Sequence, residues 1–211
     1  MKPALFTFDI FGTVVDWRYG LEQSLARRGR SLSVADFDRV MDAQGRDEQA
    51  QFLPYREITA RSLVSELELG RVEAEEIGIE LGAWPPFADA APGLTALLKL
   101  APCVAMTNSD RAHRGGVQSS LGLQLSDWVC AEEIRVYKPS PYFWQVVSER
   151  LKVPLGRHWW HVSAYADYDL NVAASLGLST VFVTRPHRRP GPAHVTVSNL
   201  LELAELVRAA G

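Results

Sequence analysis

Four positions in this sequence put a charged group where water is scarce. In "LFTFDIFGTVVDW", Asp9 ends an apolar run and is flanked by Phe8, Ile10 and Phe11. A carboxylate so poorly solvated needs a cation or hydrogen-bond donors to stay ionised. Gly12 permits a tight turn after it, and the Thr13 hydroxyl can return a hydrogen bond. In "CVAMTNSD", Thr107, Asn108, Ser109 and Asp110 gather where a strand passes into a helix. Free backbone N–H groups there can hold an anion, and Ser109 or Asp110 can equally cap the helix. In "VYKPSP", Pro139 keeps Lys138 out of the helical conformation, and Ser140-Pro141 reads as an N-cap with proline in the first turn. A lysine fixed there can supply the charge that Asp9 needs. In "HVSAYADYDLNVAASLG", Asp169 opens a helical pattern, either as a second carboxylate of the site or as an acid favoured by the helix N-terminus. His158 and His161 are three apart on a strand, so they point to opposite faces and do not form a metal pair.

The elements that must position these groups follow from the apolar spacing. Short strand signals occur at residues 4–8, 103–107, 128–131, 160–163 and 180–184. Helical patterns separate or follow them at 94–100, 111–121, 141–151, 169–176 and about 199–209. Such alternation predicts a parallel sheet with helices on both faces. Residues 18–81 break the rhythm and read as helix only, with Leu21/Leu25, Val34/Phe37/Val40/Met41 and Ile58/Leu63/Val64/Leu67 at helical spacing. Gly29, Pro54 and Gly70 punctuate this stretch, and the proline-rich "AWPPFADAAPG" reads as the return to the sheet. The expected fold is α/β: a Rossmann-like parallel-sheet core from residues 1–14 and 86–211, with an all-helical cap inserted at 15–85. Open α/β sheets bind ligands at the carboxyl ends of their strands. Asp9, the 107–110 cluster, Lys138 and Asp169 all fall there.

Composition narrows the class of partner. A formal net charge of −3 over 211 residues gives no basic field, so nucleic acid is not expected. The clusters Arg27/Arg28/Arg30 and Arg185/His187/Arg188/Arg189 read as solvated turns. Cys103 and Cys130 sit in apolar runs and read as buried free thiols. Lys2-Pro3 leads straight into a strand-like run, which predicts no signal peptide. No apolar stretch is long enough to span a bilayer. A cytoplasmic protein with a small-molecule substrate and no membrane partner is expected; a homodimer is left open.

"FDIFGTVVDW", "MTNSDR", "VYKPSP" and the Asp169 segment, in that order, resemble the four motifs of the haloacid dehalogenase superfamily. The likeness covers nearly the whole chain, including a cap after the first motif. "FDIFGTVVDWR" with "HVSAYADYDLNVAASLGL" looks most like the L-2-haloacid dehalogenase branch. The resemblance implies a hydrolase using no metal and no cofactor. It would convert a short (S)-2-haloacid to a 2-hydroxy acid and halide through an ester on Asp9. Asp9 would be the nucleophile and Lys138 its counter-ion. Thr13 and Asp169 would complete the catalytic set, with Asp169 positioning Lys138 or activating water. Thr107, Asn108, Phe11 and Trp144 would contact substrate, and Asp16 would organise the cap hinge. Phosphatase branches carry a second Asp two residues after the first, where this chain has Phe11. They also bind Mg²⁺ with an acidic pair where Ala164 and Tyr165 stand here. Both differences point away from a Mg²⁺-dependent phosphatase, which stands as an alternative together with a catalytically inactive binding protein. The L-2-haloacid branch usually has Trp-Arg in the cap, the Arg receiving the halide. Aligned through "FDRVMDAQGRDEQ", this chain has Met41-Asp42, so Arg39 or Arg46, about one helical turn away, is expected to take that role.

Overall fold

Short, mostly apolar and largely buried strands occupy the centre of the molecule, as strands do when helices cover both faces of a sheet. The computed structural model describes residues 2–209. Six strands, β1 (Leu5–Phe8), β2 (Cys103–Thr107), β3 (Asp127–Cys130), β4 (Trp159–Ser163), β5 (Ser179–Val183) and β6 (Val195–Val197), pair in the order β3-β2-β1-β4-β5-β6. Every pairing is parallel. The Rossmann-like expectation holds, and the four chemistry-bearing segments lie beyond the carboxyl ends of β1 to β4. The strand expectations hold to within about a residue at each end. β6 was not anticipated, because three residues at a half-exposed edge leave too short a pattern to read.

Four helices, α1 (Trp17–Ala26), α2 (Val34–Glu48), α3 (Tyr55–Leu67) and α4 (Arg71–Glu80), fill the stretch between β1 and β2 ahead of α5 (Ala90–Leu97). Their punctuation is the expected one: Pro54 and Gly70 are the N-caps of α3 and α4. Ser33 starts α2 with a reciprocal capping box to Asp36. The two connections to the sheet run side by side. The Asp16 amide donates to the Pro85 carbonyl (2.9 Å) and the Phe87 amide to the Val14 carbonyl (3.0 Å). Asp16 itself caps α1 through the Tyr19 amide.

The remaining helices are α6 (His113–Leu121), α7 (Ala131–Ile134), α8 (Pro141–Leu151), α9 (Asn171–Ser175) and α10 (Leu200–Ala209). The helix expected at 94–100 begins earlier, at Ala90. Pro92 lies in its first turn, where a missing N–H costs no intrahelical bond. Cys103 and Cys130 are buried and unpaired, and burial pushes their thiols up to about 12 and about 11. No helix among the described residues is long and apolar enough to cross a membrane.

Arg27, Arg30 and Arg188 are exposed as expected, but Arg28 and Arg185 are not solvated charges. Arg28 reaches Glu76 (3.0 Å) and Glu80 (2.9 Å), tying α1 to α4. Arg185 is buried; it donates to the Thr13 carbonyl (2.9 Å) and, through both terminal nitrogens, to Asp89. It braces the turn after β1 from behind.

Candidate active site

The turn after β1 aims Asp9 upward from the sheet. Gly12 adopts φ +90°, and a Cβ there would lie 2.0 Å from the Tyr165 hydroxyl, so only glycine fits the close approach. The Thr13 hydroxyl donates to Asp9 Oδ2 (2.7 Å) and accepts from the Ala164 amide (3.0 Å). One side chain thus fixes the nucleophile candidate and joins the turns after β1 and β4.

Lys138 is wholly buried, and its ammonium lies between two carboxylates: Asp9 Oδ1 at 3.1 Å and Asp169 Oδ2 at 2.9 Å. Asn108 sets it there. Its Oδ1 accepts from the Lys138 amide (2.8 Å) and its Nδ2 donates to the Lys138 carbonyl (2.9 Å). Most of the Asn108 amide is therefore spent on the lysine backbone, although the residue still faces the cavity. Asp169 was expected to open a helix; it lies instead inside a π-helical turn, Ala166–Leu170, ahead of α9. That wider turn presents its carboxylate to Lys138 and to His161.

Behind Asp169 runs a buried chain of donors. Trp159 Nε1 donates to Thr7 Oγ1 (2.7 Å), so the Thr7 hydroxyl proton is directed to His161 Nδ1 (2.7 Å). This assigns the tautomer from the network, with His161 Nε2–H donating to Asp169 Oδ1 at 2.9 Å. Sequence reading had considered His161 only as a metal ligand and discarded it. Trp144, expected at the substrate, instead packs its edge on the His161 ring at 5.5 Å between centroids and is fully buried away from the cavity.

The two carboxylates answer Lys138 unequally. Burial raises Asp9, and Asp169 adds to the rise; Lys138 and Thr13 oppose it without cancelling it. Burial would raise Asp169 too, but Lys138 and His161 hold it well below the ordinary carboxylate range. Burial works against the charge on Lys138, yet its two carboxylates keep it above its ordinary value. Asp9 is thus the less stabilised, more basic anion of the pair, as a nucleophile should be.

Above Asp9 lies a cavity of about 160 Å³. Asp9, Phe11, Thr107 and Asn108 line it from the core, and Tyr165, Tyr168 and Arg189 from the loops near β4 and β5. From α2 come Met41, Gln44, Gly45 and Glu48, a single stripe at i, i+3, i+4 and i+7. Arg39 and Arg46 fall off that stripe. Arg39 turns to Asp36 (2.7 Å) and Arg46 to Glu66 (3.4 Å), and neither reaches the cavity. The cavity's arginine comes from the core: Arg189 lines it and pairs with Asp42 of the cap at 2.6 Å. The helical spacing of α2 carries Glu48 to the cavity with Met41 and Gln44, whereas nothing local in the sequence marks Arg189. Burial raises the Glu48 carboxyl to about 8, with Asp9 adding while Asn108 and Lys138 oppose.

Asp110 holds the cap. Its two carboxylate oxygens accept from the amides of Tyr55 (2.7 Å) and Arg56 (3.0 Å), the first residues of α3. It therefore caps a helix of the cap and not α6, which follows it in sequence. Phe11 packs tilted on Tyr55 and edge-on to His113, closing the cavity wall.

A metal would fit these residues poorly. Among the described residues no three His, Cys, Asp or Glu side chains converge as a metal-ligand group. The space between Asp9 and Asp169 is taken by the Lys138 ammonium, and Asp167 turns toward Arg189 (3.8 Å).

Comparison with known proteins bears on the family and the fold. A family described as haloacid dehalogenase-like hydrolase matches residues 3–169. No curated protein matches the sequence significantly. Among solved structures, a defluorinating L-2-haloacid dehalogenase superposes with a TM-score of 0.84 at 23% identity, over 98% of this chain and 95% of that one. A second L-2-haloacid dehalogenase gives 0.81 at 25% identity, over 99% and 100%. The L-2-haloacid dehalogenase of Xanthobacter autotrophicus gives 0.85 at 18% identity, over 99% and 100%.

Proposed function

Since this chain belongs to the haloacid dehalogenase-like hydrolases, we propose that the bond it hydrolyses is the carbon–halogen bond of a short 2-haloacid, by way of an ester on Asp9. The observation that carries the reading is what surrounds Asp9. Its oxygens are held by Lys138 and Thr13, it opens on a small cavity, and Phe11 stands two residues on. An Asp9 oxygen attacks the carbon bearing the halogen; the C–O bond forms as the C–X bond breaks, and halide departs with the bond's electron pair. Halide needs no proton, so Phe11 is no handicap. Water then attacks the Asp9 carbonyl carbon, the ester C–O bond to the carboxyl carbon breaks, and a 2-hydroxy acid leaves. Lys138 keeps Asp9 ionised before attack and stabilises the charge that develops on the carboxyl oxygens during hydrolysis. A cavity of about 160 Å³ suits a substrate of a few heavy atoms.

The test is halide release from (S)-2-chloropropionate and from fluoroacetate, with a single turnover run in ¹⁸O-labelled water. The expected result is halide release, unlabelled product and one labelled oxygen retained on the peptide containing Asp9. No halide from any short haloacid, or chelator-sensitive hydrolysis of p-nitrophenyl phosphate in its place, would overturn the reading.

A further inference from the structure

We propose that Glu48, on the cap helix α2, is a substrate-recognition residue that meets the substrate's carboxylate as a neutral acid and donates a hydrogen bond to it. The inference rests on the preceding reading that the substrate is a small carboxylate. An anion entering this cavity finds every nearby cation already answered. Lys138 sits between Asp9 and Asp169, with no surface of its own exposed. Arg189 is the one cationic side chain among the described lining residues, and Asp42 holds it at 2.6 Å. Gln44 is tied to Ser62 and Tyr55, and Asn108 to the Lys138 backbone.

Glu48 differs from all of these. It lines the cavity that Asp9 lines, and no Lys, Arg or His of the described residues pairs with it. Around it stand Asn108, whose side-chain amide favours the ionised carboxyl, and Asp9, Lys138, Tyr55, Tyr137 and Tyr168, with Arg189 on the same cavity wall. The tyrosines are neutral, since burial pushes each of them up. If Glu48 were ionised, the lining side chains would carry two negative charges against the single positive charge of Arg189. A third anion would then be repelled at short range in a poorly solvated space. With Glu48 protonated, one of those two negative charges is removed and the lining gains an O–H donor. Its raised carboxyl makes the neutral form the prevailing one at neutral pH. Substrate binding and proton binding at Glu48 are therefore linked, each favouring the other.

The experiment is isothermal titration calorimetry of the full chain with (R)-lactate, the product that a single inversion at the carbon of (S)-2-chloropropionate gives, and with its enantiomer. It is run from about pH 6.5 to 9.5 in two buffers of different ionisation enthalpy. The expected result is no proton uptake at the acid end and close to one proton per ligand at the alkaline end, with Kd rising about tenfold per pH unit above about pH 8. Glu48→Gln, which keeps shape and a neutral donor, should retain the low-pH affinity and lose the pH dependence. The proton count in the unaltered protein stands whether or not that variant folds. Binding with no proton uptake, or an equal alkaline loss in Glu48→Gln, would overturn the proposal alone. No carboxylate binding at any pH would overturn it together with the substrate reading.

Discussion

Replacing Lys138 by Met separates the electrostatic role of the lysine from its bulk. The ammonium lies 3.1 Å from Asp9 and 2.9 Å from Asp169. At an effective dielectric of about 20, a charge pair at 3 Å is worth ~5 kcal/mol before desolvation is subtracted. The substitution leaves Asp9 and Asp169 facing one another, buried, with no cation between them. Removing one partner of a buried pair costs about 3–5 kcal/mol. The fold can reduce that cost by protonating one carboxylate, and Asp9 is the one whose proton affinity is already raised. A gain of about 4 kcal/mol for the protonated form corresponds to about three pH units at 1.36 kcal/mol per unit. The folded variant then binds more protons than the unfolded chain, so its stability falls as pH rises above the ordinary Asp value of about 3.9. Urea unfolding should show a deficit of about 3–5 kcal/mol near pH 7.5 and a much smaller one near pH 4.5. Halide release at neutral pH should fall by about a thousandfold or more, because the nucleophile is largely protonated and its transition-state support is gone. A variant with a pH-independent deficit, or one active within about tenfold of the parent, would refute the assignment of Lys138 as the counter-ion of Asp9.

Other parts of the site give further expectations. Thr13→Ala removes a 2.7 Å donor to Asp9 and orphans the Ala164 amide; it should cost about 1–3 kcal/mol of stability in urea melts and lower kcat more than it raises KM. His161→Phe removes one donor to Asp169 and the acceptor of the Thr7 proton. It should slow kcat, leave KM little changed and destabilise by about 1–3 kcal/mol; unchanged kcat in a folded variant would count against a positioning role. Gly12→Ala should be worse than its size suggests, since the residue sits at φ +90° with the Tyr165 hydroxyl 2.0 Å from the new Cβ; thermal unfolding would show the loss. In the proposed reaction Asp9 attacks as the anion, and burial raises it; kcat/KM should therefore decline on acidification with a midpoint above the ordinary Asp value of about 3.9, and a flat profile to that pH would contradict this.

The strand ends were legible because chemistry and topology coincide there. A carboxylate at the end of an apolar strand, or a lysine before Pro139, has few structural reasons to exist, and the parallel order of β1, β2 and β4 carries such groups to one edge. Side-chain direction on α2 was harder. The reading of Arg39 and Arg46 assumed that one turn away from Met41-Asp42 was near enough, but the cavity stripe is Met41, Gln44, Gly45 and Glu48. A helix's azimuth depends on what it packs against, here through Phe37 on the same stripe and Val40 and Ala43 beside it, all buried. Trp144 failed for a similar reason: α8 turns it inward onto His161. Arg189 and Arg185 were dismissed as loop charges because their partners, Asp42 and Asp89, lie far away along the chain. The π turn at Ala166–Leu170 leaves no periodic trace in five residues.

The capping of α3 by Asp110 has a consequence for timing. The carboxylate belongs to the loop after β2 that also carries Thr107 and Asn108, yet the helix it terminates belongs to the cap. Lifting the cap away from the sheet and uncapping that helix are therefore one event. A cap interaction of about 1 kcal/mol thins an open population roughly fivefold. Any opening of the cap therefore works against a latch set by Asp110, a residue outside the lining of the cavity above Asp9. In the proposed reaction the strength of that latch would then enter turnover beside the reactivity of Asp9.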